Sequence, residues 1–233
     1  KMLFNVSYET RRHEIARYFD KKAAGAWAKL TSDEPVSRIR QTVRLGRENI
    51  RNCILSWLPE DLSGVKIFDA GCGTGAFAIE AANKGANVTA VDISPSLIKI
   101  ARSRTPDFLD NAGSVDFFWG DMLDPAFGDF DHIVLMDSII HYDSNEGFEL
   151  IKQLGKRCKK SMIFTFAPLT PILGTMISLG RFFPKSDRAP SIVPMSESHV
   201  FRKINEDLSS WRVERINRVS KGFYKSEAVE LVR

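Results

Sequence analysis

The chain has 233 residues, 43% of them hydrophobic, and 33 basic against 29 acidic side chains give it a net charge of +4. That length can bury the core of one large domain. No apolar run approaches a membrane span and the N-terminus carries no signal-peptide core, so a cytoplasmic protein is expected. The three cysteines, Cys53, Cys72 and Cys158, are odd in number and lack metal-ligand spacing, which points to reduced thiols and no metal site. Residues 52–150 are acidic and both flanks are basic, a pattern that suits an anionic partner such as a carboxylate substrate or a phospholipid surface. No Lys/Arg cluster interleaved with aromatics points to nucleic acid.

In chain order, the apolar spacing predicts two amphipathic helices, Tyr8 to Leu30 and Val36 to Leu58, parted by Thr31-Ser32-Asp33-Glu34-Pro35. In the first, Trp27 reads as part of a stripe that packs on the core. Strand-like and helix-like runs then alternate. The strands are Lys66–Ala70, Asn87–Asp92, Val115–Trp119, Asp131–Met136 and Ser161–Phe166, with helices starting near Thr74, Ser94 and Ser144. Ser94-Pro95 is an N-cap followed by proline at the first helical position. This alternation predicts a parallel doubly wound sheet. From Ala167 to Pro190 the chain is apolar but broken by prolines, which rules against one continuous core helix. A helix from Ser196 to Leu208 and two strands, Arg212–Val219 and Tyr224–Leu231, close the sequence.

The densest signal is Phe68-Asp69-Ala70-Gly71-Cys72-Gly73-Thr74-Gly75, where an apolar strand turns through glycines into a helix. Such a turn brings bare backbone and helix N–H groups to a ligand, although the glycines alone suit several chemistries. Asp92 strengthens it: a carboxylate closing the next strand, about twenty residues on, is placed to accept ribose hydroxyls. Ile93 follows it. Gly120-Asp121-Met122 ends the third strand, and Asp137-Ser138-Ile139-Ile140-His141-Tyr142 ends the fourth, at the edge where parallel sheets bind ligands. Of four histidines, His141 is the one expected at a site.

The pattern Asp69-x-Gly-x-Gly resembles the S-adenosylmethionine site of class I methyltransferases. The resemblance implies a Rossmann-like α/β sheet of five parallel strands plus a C-terminal antiparallel pair, flanked by helices. It also implies an N-terminal helical arm over residues 1–60, a methyltransferase domain over 61–233 and a substrate-covering insertion over 168–195. S-adenosylmethionine would be held by Asp69, Gly71, Cys72, Gly73, Gly75, Asp92, Ile93, Asp121, Met122 and Asp137, and leave as S-adenosylhomocysteine. Asp69 would meet the methionine part, Ile93 the face of the adenine, Asp121 its amino group and the backbone N–H of Met122 the ring.

A narrower resemblance rests on Tyr18-Phe19-Asp20 with Trp27, Val43-Arg44-Leu45-Gly46-Arg47, Leu135-Met136-Asp137-Ser138-Ile139-Ile140-His141-Tyr142, Phe164-Thr165-Phe166-Ala167-Pro168, Arg181-Phe182-Phe183-Pro184 and Gly222-Phe223-Tyr224-Lys225-Ser226. Together these are similar to the magnesium-protoporphyrin IX methyltransferases of chlorophyll and bacteriochlorophyll biosynthesis. The reaction implied is methylation of one porphyrin propionate, with magnesium present only as part of the substrate. His141 would orient the carboxylate or take its proton, Tyr18 would act from the arm, and Tyr142, Arg181, Lys185 and Arg188 would face the porphyrin. The resemblance further implies substrate transfer from magnesium chelatase near the photosynthetic membrane. A methyltransferase acting on a quinone or phenol, or an inactive binding protein of the same fold, are the competing readings.

Overall fold

The computed structural model describes residues 2–20, 24–109, 111, 113–169 and 192–233. Three helices come first: α1 (Met2–Tyr18), α2 (Ala24–Leu30) and α3 (Arg38–Trp57). The sequence pattern predicts one helix from Tyr8 to Leu30. Instead α1 ends at Tyr18 and passes into a short π-helical turn at Phe19 and Asp20, where the Asp20 carboxylate accepts from Ser94 Oγ (2.5 Å) and the Ser96 backbone N–H (3.3 Å).

The sheet contains β1 (Lys66–Ala70), β2 (Asn87–Asp92), β3 (Ser114–Trp119), β4 (Phe130–Leu135), β5 (Cys158–Phe166), β6 (Arg212–Lys221) and β7 (Tyr224–Val232), in the order β3-β2-β1-β4-β5-β7-β6. Strands β1 to β5 pair in parallel. The final hairpin folds so that β7 enters between β5 and β6 and pairs antiparallel with both. Central strands run nearly continuously buried, as Ile67-Phe68-Asp69-Ala70 and His132-Ile133-Val134-Leu135 do, because helices cover both faces. Each large apolar side chain so enclosed, Phe68, Ile133 and Phe164 among them, contributes about 1.5–3 kcal/mol.

The remaining helices are α4 (Ala76–Asn83), α5 (Pro95–Arg104), α6 (Ser144–Gly155) and α7 (Glu197–Asp207). Their starts follow local chemistry. Ser94 accepts from Leu97 N ahead of Pro95, Asp143 accepts from Glu146 N, and Ser196 accepts from His199 N. On one face, α3 packs against the β6–β7 hairpin, where Gly46 admits the ring of Tyr224: a Cβ there would sit 2.3 Å from Tyr224 Cδ1. Strand order reverses between β1 and β4, so the carboxyl ends of these two strands diverge and open a crevice.

Candidate active site

The glycine turn is shaped by three left-handed residues, Gly71 (φ 87°), Gly73 (φ 55°) and Gly75 (φ 80°). A Cβ on Gly71 would lie 2.4 Å from Ser138 Cβ, so the loops that follow β1 and β4 meet here only because Gly71 has no side chain. One on Gly75 would strike the ring of Phe117 at 2.7 Å, so packing by itself requires glycine here. Asp92 holds the turn from β2. Its Oδ2 accepts from Gly73 N (2.8 Å) and its Oδ1 from Ser94 N (2.9 Å).

In front of this turn lies a cleft of about 1080 Å³, counted to its open mouth. Gly71, Gly73, Asp92, Ile93, Asp121 and Met122 line its nucleotide side; Asp137, Ser138, His141 and Tyr142 line its β4 side; Tyr18 closes it from α1. Ten of the residues expected from sequence therefore meet at one crevice, including both residues expected to be catalytic. Asp69 and Cys72 instead line a separate polar cavity behind the turn, together with Arg44, Arg47, Arg51 and Glu80. Gly75 lines neither. Arg181, Lys185, Arg188 and most of the 168–195 insertion fall outside the described residues.

Two carboxylates are bound differently from expectation. Asp121 is engaged by α1: its Oδ1 accepts from the Tyr8 hydroxyl (2.6 Å) and its Oδ2 pairs with Arg12. Asp137 gives its carboxylate to the protein, accepting from Arg47 Nη1 (2.5 Å), the Tyr224 hydroxyl (2.9 Å), Thr165 Oγ1 (3.1 Å) and Ser226 Oγ (3.2 Å). It is also the one non-glycine residue with positive φ among those described, at 55°.

The arm supplies residues that periodicity alone did not single out. Tyr8, Arg12, Ile15 and Phe19 recur at helical spacing and all face the cleft, and Tyr8 stacks on Tyr142 with ring centroids 5.8 Å apart. Phe19 meets His141 edge-on at 6.0 Å and Trp27 at 5.6 Å. Trp27, expected in the core, is half-buried in the cleft wall under the Arg47 guanidinium. The signal was there in the spacing, but an aromatic stripe facing a ligand looks the same as one facing a core.

Burial raises both acids of the nucleotide side. Asp69 is pushed up to about 8, with the charge of Asp92 adding to burial and the N–H of Ala78 opposing it; Asp92 is pushed up to about 6 against the Ser94 and Gly73 N–H groups. A carboxyl raised in this way stabilises the fold fully below its ordinary value of 3.8 and loses that contribution as pH climbs through the folded value. His132, lowered to about 4 by burial, acts in the opposite direction but only below about pH 6.5. Between about pH 6.5 and 8.5 the ligand-free protein is therefore expected to lose about 1–2 kcal/mol through Asp69. Melting temperatures across that range should fall more steeply for wild type than for Asp69→Asn; identical slopes would rule Asp69 out as the titrating group.

A crevice at the strand-order reversal, a glycine turn tied to a strand-end carboxylate and an antiparallel last strand define a class I methyltransferase. Residues 67–161 match a family model described as a methyltransferase domain, and residues 135–233 match that of the magnesium-protoporphyrin IX methyltransferase C-terminus. The chain is 46% identical to the magnesium-protoporphyrin O-methyltransferase of Rhodobacter capsulatus, over 96% of this chain and 97% of that one. It is 30% identical to the chloroplastic magnesium protoporphyrin IX methyltransferase of Arabidopsis thaliana, over 94% of this chain and 70% of that one. Among solved structures, magnesium protoporphyrin IX methyltransferase from Synechocystis PCC 6803 with bound SAH superposes with a TM-score of 0.83 at 25% identity, over 95% of this chain and 99% of that one. The chain belongs to the magnesium-protoporphyrin O-methyltransferase family.

Proposed function

We propose that this chain methylates one propionate carboxylate of magnesium protoporphyrin IX with S-adenosylmethionine, forming the monomethyl ester of (bacterio)chlorophyll biosynthesis. The observation that carries the reading is the continuity of one cleft from Gly73 and Asp92 to His141 and Tyr142. The donor fits the residues present. Gly71 and Gly73 give bare backbone, Asp92 keeps further acceptor capacity beyond its two N–H partners, and Ile93 and Met122 are apolar walls for a flat ring. Such a donor supplies a methyl carbon on a sulfonium, electrophilic toward a carboxylate oxygen and leaving as a neutral thioether.

The residues need do little proton chemistry. A propionate with a pKa near that of Glu, about 4.3, is already anionic at neutral pH. What remains is to strip water from its oxygen and aim it, a contribution of up to about 7–11 kcal/mol. Phe19, Trp27 and Tyr142 exclude water from the β4 side of the cleft. His141, on the 3₁₀ turn Ile139–His141, orients the carboxylate or removes its proton if it arrives as the acid, and Tyr18 assists from the arm. In this reading residues 1–60 form an arm over the methyltransferase domain, 61–233, and the 168–195 insertion covers the macrocycle, with Arg181, Lys185 and Arg188 toward its second propionate.

Delivery of so insoluble a substrate belongs to a partner, the porphyrin-binding subunit of magnesium chelatase, at a membrane surface. Among the described residues, no helix is long and apolar enough to cross a membrane.

The test is incubation with magnesium protoporphyrin IX and methyl-labelled donor. Label should appear on the porphyrin and be released by mild base, as an ester requires; label that never reaches the porphyrin would refute the assignment. In the same assay His141→Ala is expected to lower turnover about 10–100-fold, through lost orientation, with donor affinity little changed. Wild-type turnover in that variant would make His141 a packing residue.

A further inference from the structure

The turn of the β6–β7 hairpin is clamped to α3: the Phe223 N–H donates to Thr42 Oγ1 (3.4 Å), and one helical turn further on Gly46 leaves the slot that the Tyr224 ring fills. Glycine is less favourable than alanine in mid-helix, so the ring, not the helix, requires it there. Held in that slot, the Tyr224 hydroxyl reaches both carboxylate oxygens of Asp137, at 3.0 and 2.9 Å. Burial, and after it the charge of Asp137, push this hydroxyl's pKa well up, so near neutral pH it is protonated and donates. Tyr224 is buried and does not line the cleft, so any effect it has on the reaction passes through Asp137.

Asp137 opens the segment that carries His141, and its φ of 55° is left-handed. Aspartate visits that region when its side chain bonds locally. Here the partners of the carboxylate, Arg47, Thr165, Tyr224 and Ser226, stand 28 to 90 residues away. Contacts from α3, β5 and β7 therefore impose the conformation, and backbone held in this way clusters at functional sites. Arg47 already neutralises the charge. What the hydroxyl adds is direction, because a donor shared by both oxygens fixes the plane of the carboxyl group. Ser138 comes next, against Gly71, and then the 3₁₀ turn Ile139–His141, closed by the Tyr142 N–H on the Ile139 carbonyl (3.0 Å).

We propose that Tyr224 is a positioning residue for methyl transfer: acting through Asp137, it sets the turn that aims His141 into the cleft. Its bearing on turnover rests on the reading of His141 as the group that orients the propionate.

Tyr224→Phe keeps the ring in its slot and removes only the hydroxyl. Turnover at saturating S-adenosylmethionine and magnesium protoporphyrin IX should fall about 10-fold, as misplacement of a catalytic group does. In a His141→Ala background the same substitution should cost less than about twofold, because the two residues act as one unit. Equal losses in both backgrounds would make Tyr224 a fold residue and overturn the proposal. A second readout needs no substrate. The His141 ring lies edge-on to Phe19 at 6.0 Å, so the proton resonance of its Cε1 reports its placement. Tyr224→Phe should shift or broaden that resonance and leave those of His13, His132 and His199 in place; an unmoved His141 resonance would overturn the proposal even if turnover falls. Ser226→Ala, which removes the 3.2 Å bond to the same carboxylate, should act in the same direction by about 2–5-fold, and it carries the test if Tyr224→Phe does not fold. A moved resonance in a protein whose wild type leaves the porphyrin unmethylated would uphold the positioning and refute the substrate assignment instead.

Discussion

Replacing Asp137 with alanine is expected to cost about 3–5 kcal/mol of folding stability, the range for breaking a buried ion pair from one side. The carboxylate is almost fully enclosed, with 6% side-chain exposure against 16% for Arg47, so water replaces little of what is lost. Four donors from three elements converge on it: Arg47 of α3, Thr165 of β5, and Tyr224 and Ser226 of β7. Alanine would strand all four and would also have to hold φ at 55°, where a Cβ without a local polar bond adds about 1–2 kcal/mol. Asparagine keeps an acceptor oxygen and tolerates that backbone, so Asp137→Asn should lose roughly half as much. Urea unfolding midpoints at constant m measure both. A loss under about 1 kcal/mol for the alanine variant would mean that the cluster behaves as a solvated surface pair.

Asp92→Ala is expected to raise the dissociation constant for S-adenosylhomocysteine about 100-fold, a change of about 2.7 kcal/mol. Hydrogen bonds to a charged acceptor contribute about 1.5–3 kcal/mol each, and a ribose presents two hydroxyls. The same substitution should also lower stability by about 1–3 kcal/mol, because Gly73 N and Ser94 N lose their acceptor in a buried setting. A carboxylate read only as a ribose ligand would leave the fold untouched; one that pins the glycine turn cannot. Unchanged affinity by calorimetry would reject the ribose role. Unchanged stability would show that water reaches the turn freely.

The sheet was legible because strand and helix signals are local. Lys66–Ala70 and Asn87–Asp92 form strands at the bounds expected, and helices start at Pro95 and Ser144, just after the capping residues Ser94 and Asp143. The arm was harder. Its apolar face has helical spacing whether it packs on a core or on a ligand cleft, so spacing places Trp27 in a core when it lines the cleft, and marks neither Tyr8 nor Arg12 as cleft-facing. Asp121 and Asp137 both end strands at the ligand edge. Nothing in their neighbourhood in sequence foretold that Tyr8, 113 residues away, or Tyr224, 87 away, would claim their oxygens.

Sequence by itself determined the parallel sheet, the glycine turn, the Asp92 carboxylate and the histidine after β4, since each depends on periodicity or on residues a few positions apart. Only tertiary structure decided which charged groups are spent on the fold and which remain for a ligand. Arg44 and Arg47 stand three residues apart on one helix, yet one is consumed by carbonyls and the other faces the cleft. The difference comes from the approach of α2, β4 and β7 to that helix, long-range packing that no local pattern records.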